Sequence, residues 1–257
     1  MNKETILLQG IETLCNNDNE INTLIAHNKE KIIDLLTRYI NEIELFNPAY
    51  GLVGASDTEE LIIKHILDSL APLGILSRLL SSLPCALCAP VSPCESPSSL
   101  PCASRTFGSM PPCDPFFQYY AADAGSGAGL PGIPLAVTMP HCGFSLIERM
   151  GRRAGFLHNT KAALSLSNIN VEESEIEKAA GGRFDLVTFR AFKPLEPKIF
   201  KSLFKLCAPQ GIIAAYKGKM EKIEAEMATL ADNTKWEAIP YNVPFLEEER
   251  HILVIRI

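Results

Sequence analysis

The sequence predicts an α/β fold: a Rossmann-like, mostly parallel sheet with helices on both faces, preceded by a helical N-terminal extension. That expectation rests on three features. Apolar residues recur at helical spacing through residues 3–45 and again after Ser56. From Phe116 onward, short apolar runs alternate with helical stretches, the pattern of strands joined by crossover helices. Between the first run and its helix lies a glycine-rich turn, Asp123-Ala-Gly125-Ser-Gly127-Ala-Gly129-Leu130-Pro-Gly132-Ile-Pro134. Three segments follow: a helical extension over 1–80, a Pro/Ser/Cys-rich insertion loop over 81–115, and a nucleotide-binding α/β domain over 116–257.

In the extension, Ile32, Ile33, Leu35, Leu36 and Ile40 form a helical stripe with charges between them. Asn47-Pro48-Ala49-Tyr50-Gly51 reads as a turn that breaks it. Ser56-x-x-Glu59 fits a capping box for the next helix. Leu61, Ile62, Ile63, Ile66, Leu67 and Leu70 form its apolar face. Lys64, His65, Asp68 and Ser69 share the other face, where the spacing predicts Lys64–Asp68 and His65–Ser69 pairs; His65 reads as a structural helix residue. The 81–115 segment holds eight of the eighteen prolines and three charged residues (Glu95, Arg105, Asp114). Proline every few residues blocks helix and ladder alike. Beyond Phe116, strands are expected at 117–122, 143–148, 168–172, 184–189, 211–216 and 251–256. Helices are expected near 131–139, 151–165, 195–206 and 219–230. The last strand, Ile252-Leu253-Val254-Ile255, is placed antiparallel at the sheet edge.

The net charge of −6 opposes generic nucleic-acid binding, but residues 149–222 carry fourteen lysines and arginines against seven acids, a net +7. A phosphate backbone would be drawn to such a surface by counterion release. The chain opens on polar residues, unlike a secretory leader, and no apolar run approaches the roughly 20 residues that span a bilayer. A cytoplasmic protein, monomeric and free of membrane, is expected. Eight cysteines are then reduced. Cys85 and Cys88 have zinc-ligand spacing, but no second tight pair or histidine follows, so no metal site is expected. Cys15, Cys142 and Cys207 read as buried apolar filler.

The glycine turn is the candidate cofactor site. Without Cβ atoms its backbone can adopt positive φ and approach a ligand closely, and the following helix start offers N–H groups. Gly127-x-Gly129-x-x-Gly132 satisfies the dinucleotide pattern. The run starts earlier, however, as Asp123-x-Gly125-x-Gly127-x-Gly129, which is typical of S-adenosylmethionine loops; an acid there suits an ammonium-bearing methionyl tail. A dinucleotide enzyme and a plain structural turn are the alternatives. In open α/β sheets the ligand lies beyond the carboxyl ends of the strands. Glu148 ends the second strand, where a carboxylate can accept from both ribose hydroxyls. Arg149 and Met150 follow and flank the base, and Ile176-Glu177 falls where the adenine edge would be read. Arg190 ends the fourth strand, and its planar fork suits a phosphate or the O6/N7 edge of guanine. Lys217 ends the fifth strand, at the cleft rim.

These pieces resemble the 16S rRNA guanine-N7 methyltransferase family, also called the glucose-inhibited division protein B family. The resemblance is carried by Asn47 through Leu52, His65-Ile-Leu-Asp68-Ser69, Asp123 through Pro134, Arg152-Arg153-Ala-Gly-Phe-Leu157, Phe184 through Phe192, and Lys217-Gly218. It implies a class I methyltransferase sheet over 116–257 that binds S-adenosyl-L-methionine. The cofactor contacts it implies are Gly125, Leu130, Glu148, Arg149, Met150, Ile176, Glu177 and Arg190, to which the reading of the loop itself adds Asp123 and Gly127. It implies methylation of a guanine N7 in 16S rRNA of the 30S subunit, with Arg190 positioning the reactants; of the basic section, Arg152, Arg153, Lys193 and Lys217 are expected to touch the RNA. Glu148 stands where the family usually has aspartate, Gly51 where it has asparagine, and Phe189 where it has serine or alanine. The 81–115 insertion is not part of the family core. Methylation of a small molecule or a protein, an NAD-dependent oxidoreductase, and a non-catalytic assembly factor are the rival readings.

Overall fold

A computed structural model describes residues 2–83, 117–190, 196–230 and 234–257. The insertion read at 81–115, with Cys85 and Cys88, lies outside them but for its first three residues, as does Lys193.

The N-terminal stripe forms α1 (Lys3–Asn17), α2 (Asn19–Ala26) and α3 (Lys29–Tyr50). The turn expected at Asn47 is absent: α3 runs through Pro48 to Tyr50 and stops at Gly51, which adopts the left-handed conformation (φ 57°, ψ 53°). A proline in a helix's last turn removes one hydrogen bond near an end, where the loss is small. Asn47 closes the exit, its Oδ1 accepting from the N–H groups of Leu52 (2.7 Å) and Val53 (2.9 Å).

The next helix is capped one residue later than the sequence suggests. Asp57 Oδ1 accepts from Glu60 N–H at 2.8 Å, and Glu60 Oε2 reaches back to Ser56 N–H at 2.7 Å. This helix is not uniform: α4 (Thr58–Leu61) widens into a π-helical turn (Ile62–Leu67) before α5 (Asp68–Leu70), and α6 (Leu73–Ser81) follows. The widened turn changes the expected pairings. Lys64 bonds back to Glu60 at 2.9 Å, leaving Asp68 to other partners, and Ser69 Oγ donates to the His65 carbonyl at 2.6 Å.

Among the described residues seven strands make one sheet: β1 (Tyr119–Ala124), β2 (Cys142–Glu148), β3 (Ile169–Glu173), β4 (Phe184–Arg190), β5 (Cys207–Lys217), β6 (Trp236–Tyr241) and β7 (Arg250–Arg256). Their spatial order is β3-β2-β1-β4-β5-β7-β6. β3 through β5 are parallel, and β7 is antiparallel to both β5 and β6. The last strand is therefore antiparallel, as expected, but not at the edge. The edge is β6, whose polar, half-exposed residues hid it in the sequence. β7 is buried almost throughout and reads as a continuous apolar run because it has a neighbour on each side.

Crossover helices α7 (Gly132–Thr138), α8 (Gly151–Leu164), α9 (Pro197–Leu206) and α10 (Met220–Met227) lie close to the expected ranges. One face of the sheet packs Leu186, Ile212, Ala214 and Val254 against the N-terminal helices in a core that reaches from Ile6 to Val254. The other packs Val187, Phe189, Ile213 and Leu253 under Leu203 and Leu206 of α9 and Ile223 and Met227 of α10. Cys142 and Cys207 are buried, and burial pushes each thiol up to about 12; Cys15 is only partly buried. Among the described residues no helix is long and apolar enough to cross a membrane.

Candidate active site

The glycine loop bends over the end of β2. Gly125 N–H and Ser126 N–H both donate to the Ile147 carbonyl, at 2.9 and 3.0 Å. Gly125, Gly127 and Gly129 have φ of 72°, 59° and 92°, a region closed to most side chains. Gly132 serves for closeness: a Cβ there would sit 2.4 Å from Leu146 and 2.7 Å from Asp123 Oδ2. Tyr39 of α3 holds the loop from the other side, its hydroxyl donating to the Ala128 carbonyl at 2.7 Å.

Asp123 is wholly buried beneath this loop. Its Oδ2 accepts from Ser126 Oγ at 2.6 Å and from Gly132 N–H at 3.0 Å, while Oδ1 has no partner among the described residues. Two expectations change. Asp123 does not stand on the cavity wall; it shapes the loop from below. The start of α7 also offers no spare donors, because Gly132 N–H serves Asp123, Ile133 N–H serves Gly129 O, and Pro134 has none. A pyrophosphate needs those donors, so the loop is unsuited to a dinucleotide. It suits a ligand that brings its own cation.

Glu148, 4% exposed, closes the loop at the end of β2. Oε2 accepts from Gly127 N–H at 2.9 Å and Oε1 from Met150 N–H at 2.8 Å. A carboxylate has about four acceptor sites, so two remain for the hydroxyls of a ribose. Glu148 lines a cavity of about 450 Å³ together with Gly125, Arg149, Met150, Ile176, Glu177 and Arg190, a volume suited to a nucleoside-sized ligand. The acid at the end of β2 and the pair after β3 thus meet as the sequence suggested. Ile147, Ser174, Glu175, Ile199 and Ser202 are also on the wall and were missed as site residues; nothing in the spacing of Ile199 and Ser202 marks them, since α9 reaches the cavity only through its packing on the sheet. Leu130 is buried in the core beside the loop and is not on this wall.

The expected cations fare unequally. Arg153 is on the cavity wall; its Nη2 donates to the Gly51 carbonyl at 3.1 Å and its Nε is buried with no partner among the described residues. Arg152 is exposed, its guanidinium 5.9 Å from the Tyr50 ring centre. Lys217 is not a free cation at the rim: its ammonium pairs with Glu226 and lies 5.7 Å from the Phe189 ring centre, with the side chain 11% exposed. Arg190 is held from behind. Its Nη1 donates to Asp68 Oδ2 (3.1 Å) and to the carbonyls of Lys64 (3.0 Å) and His65 (3.3 Å), and its Nη2 donates to His65 Nδ1 (2.7 Å). His65, read as a structural helix residue, and Asp68 of the same polar face both have their side chains on this arginine. Exposed cations that the sequence did not single out as site residues stand on α9: Lys198, Lys201 and Lys205, beside the cavity-lining Ile199 and Ser202.

A parallel sheet extended by an inserted antiparallel strand, a glycine loop without phosphate donors and a ribose-competent acid at the end of β2 together define a Rossmann-like methyltransferase that binds S-adenosylmethionine. The family model for GidB, rRNA small subunit methyltransferase G, matches residues 110–253. Ribosomal RNA small subunit methyltransferase G of Treponema denticola is 39% identical, over 97% of this chain and 93% of that protein. The proteins of the same name from Treponema pallidum (strain Nichols) and Shigella flexneri are 34% identical over 86% of this chain and 83% of theirs, and 30% identical over 91% of each. The chain belongs to the rRNA small subunit methyltransferase G family. It is an S-adenosylmethionine-dependent methyltransferase.

Proposed function

We propose that this protein methylates N7 of a guanine in 16S rRNA of the small ribosomal subunit. The observation that carries the reading is the pairing of a ribose-competent Glu148 with Arg190 on the wall of one cavity. When bound, S-adenosylmethionine supplies an electrophilic methyl group. Guanine N7 has a free lone pair, so accepting a methyl needs no general base. What the protein supplies is position: reacting atoms held in line at ~3–3.5 Å. Glu148 holds the ribose, the glycine loop the methionyl tail, and the backbone around Ile176-Glu177 the adenine edge. Arg190 does not stabilise the charge that forms on the purine, because like charges repel. It orients the acceptor through O6 or a phosphate, using the Nε–H and second Nη2–H, which have no partner among the described residues. The acceptor base must be unstacked or already in a loop.

In this reading the 116–257 segment carries the chemistry, the 1–80 helices brace it, and the 81–115 insertion joins them. Arg149, Arg152 and Arg153 beside the cavity, and Lys198, Lys201 and Lys205 on α9, guide the RNA strand, together with Lys193, which lies outside the described residues. The protein acts as a cytoplasmic monomer.

Incubation with tritiated S-adenosylmethionine and 30S particles or naked rRNA, then nucleoside mapping, tests this. Label in 7-methylguanosine is expected; label in another nucleoside, or none, overturns it. Arg190→Ala is expected to keep cofactor affinity within a few fold by calorimetry and to lower transfer to a slow residual rate. Abolished cofactor binding would move Arg190 from the acceptor to the cofactor.

A further inference from the structure

We propose that His65 and Asp68 are positioning residues of the transfer reaction, clamping the Arg190 guanidinium so that its Nε edge is presented to the acceptor. This rests on the reading that Arg190 orients the acceptor base.

The clamp is built from two elements remote in sequence. β4 carries Arg190 to the cavity wall, and the π-helical turn and the first residue of α5 bring four acceptors to one end of it. Two are backbone carbonyls, of Lys64 and His65; one is Asp68 Oδ2; one is His65 Nδ1. A guanidinium only donates. His65 Nδ1 must therefore present its lone pair, and the ring carries its proton on Nε2. Together these partners fix the guanidinium plane, because Nη1 and Nη2 are held by different groups. Asp68 is itself pinned: it is 5% exposed, and its Oδ1 accepts from the Tyr241 hydroxyl at 3.0 Å and lies 3.4 Å from Arg250 Nε. The edge of Arg190 that carries Nε–H and the second Nη2–H is the one left over, and it is a fork suited to two-point recognition. An arginine on a bare strand end would lose rotamer freedom on meeting its acceptor; here that ordering is complete beforehand.

Asparagine and leucine separate the clamp from mere packing. Asn Oδ1 falls near the position of His Nδ1 and can accept, whereas leucine fills space without accepting. His65→Leu is expected to lower the single-turnover rate by about 100-fold, with cofactor affinity by calorimetry and the circular dichroism spectrum unchanged, while His65→Asn recovers most of that loss. Asp68→Asn, which keeps an acceptor but loses the charge, falls between them. In an Arg190→Ala background, followed over long single turnovers with tritiated cofactor, His65→Leu should add nothing, because both changes remove one device. Wild-type-like rates for a folded His65→Leu, or a His65→Leu penalty of full size in the Arg190→Ala background, would overturn the proposal. If the wild-type protein itself transfers no methyl group to rRNA, the functional reading fails instead, so the two failures are distinct.

Discussion

Asp123 shows how one buried side chain can be tuned by a loop. Burial raises its carboxyl to about 6, against the hydrogen bonds from Ser126 and Gly132 that lower it. The folded protein then binds a proton that the unfolded chain has released between about pH 4 and pH 6. The stability this group contributes is fully present below its ordinary value near 3.8 and is lost as pH rises through about 6. A rise of that size corresponds to about 3 kcal/mol. Asp123→Asn keeps an acceptor for Ser126 and Gly132 but does not titrate. Urea unfolding of both proteins at pH 4, 5, 6 and 7 should show the wild type losing about that much relative to the variant on going from pH 4 to 7. A pH-independent difference would contradict it. His65 has the opposite sign: burial, then the Arg190 charge, lower it to about 4, so its contribution is full above its ordinary 6.5 and is lost as pH falls toward 4. Subtracting the Asp123→Asn curve from that of the wild type isolates one group from the other.

At the scale of elements, the glycine loop depends on a helix far from it in sequence. Tyr39 is fully buried, and its hydroxyl satisfies the Ala128 carbonyl inside the core. Tyr39→Phe removes the donor and keeps the ring, leaving a buried carbonyl without a partner. The cost is about 1–3 kcal/mol, to be read from chemical denaturation, together with weaker cofactor binding as the loop loosens. Unchanged stability would mean that Ala128 finds another donor. The π-helical turn is an element-scale feature of a different kind. Its residues have ordinary helix propensities, and no periodicity in Ile62–Leu67 announces the wider winding. It forms where Asp68 and two carbonyls must reach Arg190, so the demand is tertiary. The capping of α4 was legible to within one residue, because the Ser56-Asp57 pair and Glu59-Glu60 pair offer two overlapping boxes and only packing selects between them.

At the scale of the whole molecule, charge rather than packing governs encounter with RNA. The net +7 of residues 149–222 is spent unevenly: Arg183 pairs with Glu172, Lys217 with Glu226 and Arg190 with Asp68, whereas Lys198, Lys201 and Lys205 stay exposed on α9. Replacing those three lysines with alanine should weaken rRNA binding and flatten the dependence of log affinity on log salt by about 2, at roughly 0.7 for each phosphate no longer neutralised. Filter binding across a salt series measures this. An unchanged slope would place the RNA elsewhere on the surface.

The sequence alone determined what depends on short-range chemistry: strands and helices from their periods, a left-handed glycine turn that bulkier residues cannot follow, and a carboxylate at the end of β2 within reach of that turn. It also carried the family, through motifs that are local strings. Tertiary structure alone decided what depends on juxtaposition. Whether Lys217 is free or paired, whether β7 is an edge or an inner strand, and whether His65 faces solvent or Arg190 are settled by chain segments up to 125 residues apart. A cation's chemistry follows from its partner, and partners distant in the chain are brought together by burial of the shared core, which no local pattern encodes.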